Sequence, residues 1–291
     1  MSDNILHSEP KQVGPGEIRD PVAAEPVWII ETHALTKRFH DLTAVDGLTL
    51  AVSDGQVFGL LGPNGAGKST VMKMLVTLLP PTSGDAKIAG YDLLSQPALV
   101  RRSIGYVPQL LSADGMLTGY ENLLIFAQLY DLPRKERAAR IEQALTSAGL
   151  QDVANHLVNT YSGGMIRRLE VVTAMLHRPR VLFLDEPTVG LDPVARHAIW
   201  RQVESLVAEH GTTVVITTHL MEEADALCDQ IAIMNAGKVC ALGSVDELKA
   251  AMQTPGATLD DVFSHFAGST TKVGERFRDI ATTRRSAARL G

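Results

Sequence analysis

The feature that most constrains this chain is a glycine-rich turn between two apolar segments. Residues 62–70 read Gly-Pro-Asn-Gly-Ala-Gly-Lys-Ser-Thr and contain the pattern G-x-x-x-x-G-K-S. The apolar run at 57–61 predicts a buried strand, and residues 71–76 predict the first turns of a helix. A strand, a glycine-rich turn and a helix in this order are the context in which the pattern forms a phosphate-binding loop. The alternative, a glycine turn beside a chance lysine, explains neither the spacing nor the context.

Each residue type in this loop has a chemical reason to be there. The glycines allow backbone angles that side chains exclude, so successive amides can point towards an anion. Lys68 supplies a positive charge for phosphates, and the Ser69 hydroxyl is a suitable ligand for Mg²⁺. The helix that begins here adds its positive dipole end. The predicted phosphate-binding residues are Gly62, Pro63, Asn64, Gly65, Ala66, Gly67, Lys68, Ser69 and Thr70.

Composition narrows the class of protein. The chain has 291 residues, of which 45% are hydrophobic, enough for one large domain or two small ones. Its net charge of −6 argues against a general nucleic-acid binder. The two cysteines are expected to be free thiols in a reducing compartment. Because no apolar stretch approaches the about 18 residues of a membrane helix, we expect a soluble, cytoplasmic chain that works at a membrane only as a peripheral subunit.

Two carboxylates follow a second apolar run. Residues 181–184 read Val-Leu-Phe-Leu, which is typical of a parallel strand buried on both faces, and Asp185 and Glu186 come next. Ligands of α/β sheets bind at the carboxyl ends of strands. Strand alternation predicts that the two side chains point to opposite sides, one towards Mg²⁺ and the other towards a water. A buried pair of acids without a cation is costly, which disfavours a purely structural role.

Three shorter features are ambiguous when each is taken alone. Gln109 begins a loop after a short predicted strand, and a single glutamine carries little information. Phe39, in the predicted link between two strands, could stack on an adenine base or could simply pack against its neighbours. Ser162, Gly163 and Gly164 precede a predicted helix, where they could bind an anion or merely provide a serine N-cap.

The predicted elements divide the chain into three parts. Residues 1–26, with several prolines and no periodicity, predict a flexible arm. Residues 27–253 predict a nucleotide-binding domain, with a mainly helical subdomain at about 110–178. Residues 254–291 form a C-terminal extension, in which 259–266 predict a short helix. Its basic tail is either a solvated end or a contact for anionic lipid headgroups.

Taken together, these motifs resemble those of the ATP-binding subunits of ABC transporters. The resemblance covers about residues 27–267, and the wording Tyr-Ser-Gly-Gly-Met at 161–165 is similar to the daunorubicin-resistance type among drug and antibiotic exporters. The motif at 161–165 departs from the family's common Leu-Ser-Gly-Gly-Gln at its first and last residues. The resemblance implies an α/β fold, a P-loop NTPase core of the ABC ATPase type with an antiparallel β subdomain and an inserted α-helical subdomain. The matching motifs are the phosphate loop, Gln109, Ser162 to Gly164, Asp185 with Glu186, the turn ending at Asp192, and His219.

The resemblance also implies ATP and Mg²⁺ as cofactors and a role for each matched residue. Glu186 would deprotonate the attacking water, and His219 would contact the γ-phosphate. Phe39 would stack on adenine, and Asp192 would lie at a dimer seam. The implied catalytic residues are Glu186, His219, Lys68 and Gln109; the metal-site residues are Ser69, Gln109 and Asp185; and Phe39, Ser162, Gly163, Gly164 and Asp192 join the phosphate loop in binding nucleotide.

The chain holds one phosphate loop and one Ser-Gly-Gly motif, so the family arrangement implies a head-to-tail dimer of two copies. It further implies a separate membrane permease, a peripheral location at the cytoplasmic face of the membrane, export of a small drug-, antibiotic- or lipid-like molecule, and no nucleic-acid partner. The apolar loop after Gln109, with Leu110, Leu111 and Met116, would form a groove for the permease or would only cover its own subdomain.

Three rival hypotheses remain at this point. A soluble ABC-type ATPase acting on ribosomes or DNA usually carries two cassettes or a long coiled-coil insertion, and this chain has neither. A non-hydrolysing nucleotide sensor would not need Lys68, Asp185, Glu186 and His219 together. A GTPase or kinase that shares only the phosphate loop would leave the Ser-Gly-Gly motif unexplained, and the chain has no Asn-Lys-x-Asp guanine motif.

Overall fold

Two β-sheets and the helices around them make up the fold in the computed structural model, which describes residues 28–254 and 256–267. One sheet is antiparallel, and the other is mainly parallel. This arrangement confirms the predicted α/β class. The predicted arm at 1–26 and the basic tail at 270–291 lie outside the described residues.

The antiparallel sheet has the strand order β2-β1-β4-β5. Its long first hairpin differs from the expectation, because β1 continues through Phe39, which pairs with Leu42. Phe39 is therefore the last residue of a strand and does not lie in a link. The two-residue turn at 40–41 closes the hairpin without interrupting the pairing. The strands are β1 (Trp28–Phe39), β2 (Leu42–Ser53), β4 (Ser83–Ile88) and β5 (Tyr91–Asp92).

The mainly parallel sheet has the order β10-β9-β3-β8-β7-β6. Its strands β3, β7 and β8 are buried at every position, as expected for the apolar runs at 57–61 and 181–184. Because β3, β8 and β7 are parallel neighbours, the residues that follow them meet at one edge. The strands are β3 (Val57–Leu61), β6 (Ile104–Val107), β7 (Val181–Asp185), β8 (Thr213–Thr218), β9 (Gln230–Asn235) and β10 (Lys238–Gly243).

The helices connect the strands and cover the sheets. The sequence reasoning did not predict α2, whereas the short helix predicted at 259–266 is confirmed as α9. None of the helices in the described ranges is long and apolar enough to cross a membrane. The helices are α1 (Lys68–Leu75), α2 (Pro97–Ser103), α3 (Gly119–Leu129), α4 (Arg134–Ser147), α5 (Gly163–Met175), α6 (Pro193–His210), α7 (Met221–Leu227), α8 (Val245–Ala251) and α9 (Leu259–Ala267).

Helix α5 packs against both the helical part of the chain and the parallel sheet. Its Leu169 and Val172 belong to an apolar cluster with residues of α3 and α4. Its Val171 and Met175 belong to the cluster beneath β7 and β8. Full burial of an apolar side chain of this size stabilises the fold by about 1.5–3 kcal/mol. Helix α5 is therefore anchored on both sides, and its N-terminus is held in a defined place.

Candidate functional site

The predicted phosphate loop lies between β3 and α1, as expected. Gly67 occupies the N-cap of α1 with a φ of 107°, and no side chain caps the helix there. A Cβ at this position would lie 2.5 Å from the carbonyl oxygen of Ala44 on β2. Glycine is needed both for the left-handed angle and for this close approach. The first-turn amides of α1 therefore have no side-chain acceptor and can donate to an anion.

Lys68 lies in the first turn of α1 and is buried. Its Nζ donates hydrogen bonds to the carbonyl oxygens of Gly62, at 2.7 Å, and Pro63, at 3.3 Å. The same atom is 3.4 Å from Glu186 Oε1. Burial lowers the pKa of the Lys68 ammonium, and the neighbouring Glu186 carboxylate partly opposes this shift. The lysine is thus held between its own loop and the carboxylate at the end of β7.

Asp185 is the last residue of β7 and is only 3% exposed. Its Oδ1 accepts a hydrogen bond of 2.6 Å from Thr217 Oγ1 on β8 and one of 3.3 Å from Ser69 Oγ on α1. The negative charge of Asp185 also acts on the phenol of Tyr106. Burial first, and then the negative charge of Asp185, raise the pKa of Tyr106 to about 12. The phenol of Tyr106 is therefore neutral at physiological pH.

Glu186 is the point at which the predicted catalytic residues converge. Gln109 Nε2 donates a 2.9 Å hydrogen bond to Glu186 Oε2. Glu186 Oε1 lies 3.4 Å from Lys68 Nζ and 3.5 Å from His219 Nδ1. The backbone amide of Glu186 donates to the Thr217 hydroxyl at 2.9 Å and to the Thr217 carbonyl at 3.1 Å. Side chains from three separate segments therefore surround one buried carboxylate.

The prediction that Asp185 and Glu186 alternate across a strand is wrong. Strand β7 ends at Asp185, and Glu186 adopts a left-handed φ of 48°, outside the strand. The two carboxylates instead contact successive residues of the first turn of α1, Ser69 and Lys68. A left-handed angle in a residue other than glycine is costly and is concentrated at functional sites. The hydrogen bonds that the Glu186 amide donates to Thr217 hold the backbone in this conformation.

The donor set at this site fits a phosphate-bound Mg²⁺. A hydroxyl at Ser69, a carboxylate at Asp185 and an amide oxygen at Gln109 are the oxygen ligands that Mg²⁺ accepts beside phosphate and water. Residues 28–254 and 256–267 contain no cluster of three or more His, Cys, Asp or Glu that could hold a metal. His219 Nδ1 is buried and has no hydrogen-bond partner among the described residues. This orphaned nitrogen fits a ligand group beside Glu186.

The Ser-Gly-Gly motif lies at the N-terminus of α5, where Ser162 is the N-cap and accepts a 3.3 Å hydrogen bond from the Met165 amide. The motif packs against the start of α6, since a Cβ on Gly164 would lie 2.7 Å from Ala195 Cβ. Asp192 is the N-cap of α6. Within the described part of the chain, the motif forms no hydrogen bond or ion pair with residues 62–70.

Phe39 is the last residue of β1, in the antiparallel sheet. The residue is 41% exposed, and Lys37 Nζ lies 5.2 Å from the centroid of its ring. The exposed ring is free to contact a planar group.

Sequence reasoning missed Thr217 and Tyr106. Thr217 bonds to both Asp185 and Glu186 and therefore fixes the two carboxylates. A signal for it was present, because Thr217 and Thr218 end an apolar strand in the same way as Asp185 ends β7. Tyr106 had no such signal, because it stands within a four-residue strand.

Comparison with known proteins agrees with this geometry. A family model described as "ABC transporter" matches residues 45–189. The daunorubicin/doxorubicin resistance ATP-binding protein DrrA of Streptomyces peucetius is 45% identical over 228 residues, which are 78% of this chain and 69% of that protein.

Solved structures give the same result. An ATP-binding subunit of an ABC transporter has a TM-score of 0.74 and 30% identity, covering 82% of this chain and 99% of its own. A dimeric ATP-binding cassette in a post-hydrolysis state, bound to ADP and Pi, has a TM-score of 0.67 and 28% identity, covering 74% of this chain and 98% of its own. The chain therefore belongs to the ABC transporter family, as an ATP-binding and ATP-hydrolysing subunit.

Proposed function

We propose that this chain powers the export of a small drug-, antibiotic- or lipid-like molecule through a separate membrane permease. It would act as a pair of copies, peripherally at the cytoplasmic face of the membrane. The similarity to a daunorubicin/doxorubicin resistance protein supports the exporter class. The observation that carries the proposal is the convergence of Lys68, Gln109 and His219 on the buried Glu186 carboxylate.

In this proposal Glu186 is the general base. It is held between a lysine, an amide and an imidazole, which is the arrangement that positions a carboxylate towards one attacking water. Lys68 exchanges its contacts with the Gly62 and Pro63 carbonyls for phosphate oxygens. His219 offers a ring nitrogen to the transferred phosphate. Phosphoryl transfer requires positioning and charge stabilisation, and these residues supply both.

Ser69, Asp185 and Gln109 would hold Mg²⁺ together with the phosphates. When bound, the ion neutralises charge that develops on the phosphate oxygens. The 3.3 Å separation of Ser69 Oγ and Asp185 Oδ1 puts hydroxyl and carboxylate on the same side of the loop. Gln109 would leave its bond to Glu186 and turn its amide oxygen to the ion, which links metal binding to release of the base.

Two copies would meet head to tail, each offering the α5 N-terminus to the other's phosphate loop. The free helix end and the Ser162 hydroxyl suit a γ-phosphate. They have no hydrogen bond to their own loop among the described residues, so a second copy is the natural source of the phosphate. The Asp192 turn carries exposed apolar side chains, Val189 and Val194, which suit a seam between copies. The dimeric solved relative supports the pairing.

The loop after Gln109 is the proposed contact for the permease. Leu110 is 81% exposed and Met116 is 75% exposed, and Leu111 lies between them with about half of its surface exposed. Apolar side chains clustered on one short loop are costly in water and favour a protein partner. A permease bound here would contact residues next to Gln109, so its movement would reach the nucleotide site.

The test is Glu186→Gln, which keeps the side-chain shape and removes the base. We expect ATP binding to persist and turnover to fall by about a hundredfold or more. ATP-bound dimers should accumulate on size-exclusion chromatography, because hydrolysis no longer separates the two copies. Glu222→Gln, an exposed glutamate on α7, is the matched control and should leave turnover unchanged. An unaltered ATPase rate in Glu186→Gln would remove Glu186 from the proposed role.

A further inference from the structure

Helix α5 carries an ion pair that is buried and that the site above does not use. Arg167 Nη1 donates a 2.9 Å hydrogen bond to Glu170 Oε2, and both side chains are only 4% exposed. Replacing such a pair by apolar residues is often neutral or stabilising, so stability alone is a weak reason for it. Its remaining polar atoms must also find partners inside the protein. Those partners lie in one loop, except that Arg167 Nε is buried and has no hydrogen-bond partner among the described residues.

Arg167 holds the first part of this loop. Its Nη1 donates to the Pro108 carbonyl at 2.7 Å, and its Nη2 donates to the Gln109 carbonyl at 2.7 Å. The two bonds use different nitrogens of the planar guanidinium, a geometry that lysine cannot reproduce with its single nitrogen. The backbone on both sides of the Pro108–Gln109 peptide bond is therefore attached to α5.

Glu170 holds the last part of the loop. Its Oε1 accepts hydrogen bonds from the Ser112 amide, from Ser112 Oγ at 3.0 Å and from the Ala113 amide at 3.2 Å. Its other oxygen accepts from Arg167. We call Arg167 and Glu170 the α5 clamp, since the two side chains form hydrogen bonds with both ends of the loop at 108–113.

The α5 clamp is connected to the proposed catalytic base, Glu186, through Gln109. Arg167 binds the Gln109 carbonyl, and the Gln109 side chain donates to Glu186 Oε2 at 2.9 Å. Helix α5 begins after Ser162, so one rigid helix carries both the Ser-Gly-Gly motif and the clamp. A displacement of its N-terminus would be transmitted through the clamp to Gln109.

We propose that Arg167 and Glu170 are positioning residues for ATP hydrolysis, which make Gln109 follow the helix that begins at Ser162. The proposal rests on the roles given above to Gln109 and Glu186. Contact of the α5 N-terminus with the nucleotide on a second copy would then set the place of Gln109 on its own copy. The clamp links the two nucleotide sites of a dimer through one helix in each chain.

A double-mutant cycle tests the proposal. Arg167→Met/Glu170→Leu replaces the clamp by apolar residues of similar size, which buried sites commonly tolerate. It is made in the natural chain and in a Gln109→Ala background, and kcat and KM for ATP are measured in both. We expect kcat to fall by about ten- to a hundredfold in the natural chain, with little change in KM. In the Gln109→Ala background the same replacement should change kcat by less than about twofold, because the clamp acts through Gln109.

The matched control is Arg168→Met. Arg168 is the next arginine on the same helix, but it donates to the Ala148 carbonyl, at 2.5 Å, and not to the 108–113 loop. It should leave kcat within about twofold of the natural chain. Amide hydrogen exchange gives a direct structural readout. The Ser112 and Ala113 amides should exchange at least about tenfold faster in the clamp variant and unchanged in Arg168→Met.

Equal losses of kcat in the two backgrounds would overturn the proposal, as would a clamp variant with unchanged kcat. If Arg167→Met/Glu170→Leu does not fold, Arg167→Lys serves in its place, because it keeps the charge and loses one of the two carbonyl contacts. The outcomes remain separable from the proposed function. An inactive Glu186→Gln with an active clamp variant rejects only the clamp, whereas an active Glu186→Gln rejects the function.

Discussion

A buried glutamate on α7 offers the sharpest test of how the site is held together. Glu223 is only 1% exposed, and its Oε1 accepts hydrogen bonds from Thr188 Oγ1 at 2.7 Å and from Trp200 Nε1 at 3.1 Å. Thr188 stands two residues after Glu186, Trp200 belongs to α6, and Glu223 stands four residues after His219. One carboxylate oxygen therefore joins three segments of the site, and Glu223→Ala removes the junction.

The size of the effect follows from these bonds. A hydrogen bond to a charged acceptor contributes about 1.5–3 kcal/mol, so the two bonds amount to about 3–6 kcal/mol. The substitution also removes a buried charge, whose desolvation opposes folding, and this offsets part of the loss. We therefore expect the free energy of unfolding to fall by about 3 kcal/mol in Glu223→Ala. In Glu223→Gln the loss should stay within about 1 kcal/mol, since the amide oxygen accepts both bonds.

Urea denaturation followed by circular dichroism measures this change. With a denaturant slope of about 3 kcal/mol per molar, a loss of about 3 kcal/mol lowers the unfolding midpoint by about 1 M. The control is Glu222→Ala, the preceding residue, whose carboxylate is largely exposed and pairs with Arg196 at 3.3 Å. It should shift the free energy by no more than about 1 kcal/mol. A Glu223→Ala midpoint as close to the natural chain as that of the control would refute the reasoning.

Two further predictions concern pH and the permease. The pKa of Tyr106 is about 12 in the fold against 10.0 for an ordinary tyrosine, so its stabilising contribution is complete below pH about 10 and is lost as pH rises through about 12. In Tyr106→Phe, the free energy of unfolding measured by urea titration should decline less steeply between pH about 10 and about 12. Leu111→Asp should reduce co-purification with the permease about tenfold or more. The control Leu78→Asp should not, although Leu78, outside this loop, is 63% exposed and Leu111 is 49% exposed. Intact co-purification of Leu111→Asp would contradict the proposed docking surface.

Much of the fold was predictable because its signals are local. The apolar runs at 57–61 and 181–184 became buried strands, and the glycine-rich turn became the start of α1. Ser162 became the N-cap of α5. The local signal failed where it was weak, as for α2, and where strand pairing extended β1 as far as Phe39.

The candidate site was predictable only as a set of residues and not as an arrangement. Gln109 and Glu186 are 77 positions apart in the chain but form one hydrogen bond. The direction of the Glu186 side chain was predicted wrongly because strand alternation holds only inside a strand. The left-handed backbone angle of Glu186 depends on hydrogen bonds that its amide donates to Thr217. Arg167 and Glu170 gave no signal at all, since charged residues on a helix are usually solvated.

The amino-acid sequence by itself therefore determined which elements and site residues are present: the strands, the phosphate-loop helix and the polar residues that follow the strands. These depend on backbone propensity, apolar periodicity and turn chemistry, which act over a few residues. The tertiary structure decided which of those residues meet. The sheet order places β3, β8, β7 and β6 side by side although they are distant in the chain, so a lysine, two carboxylates, a glutamine and a histidine share one edge. Contacts of this kind arise from long-range packing, which no short window of sequence encodes.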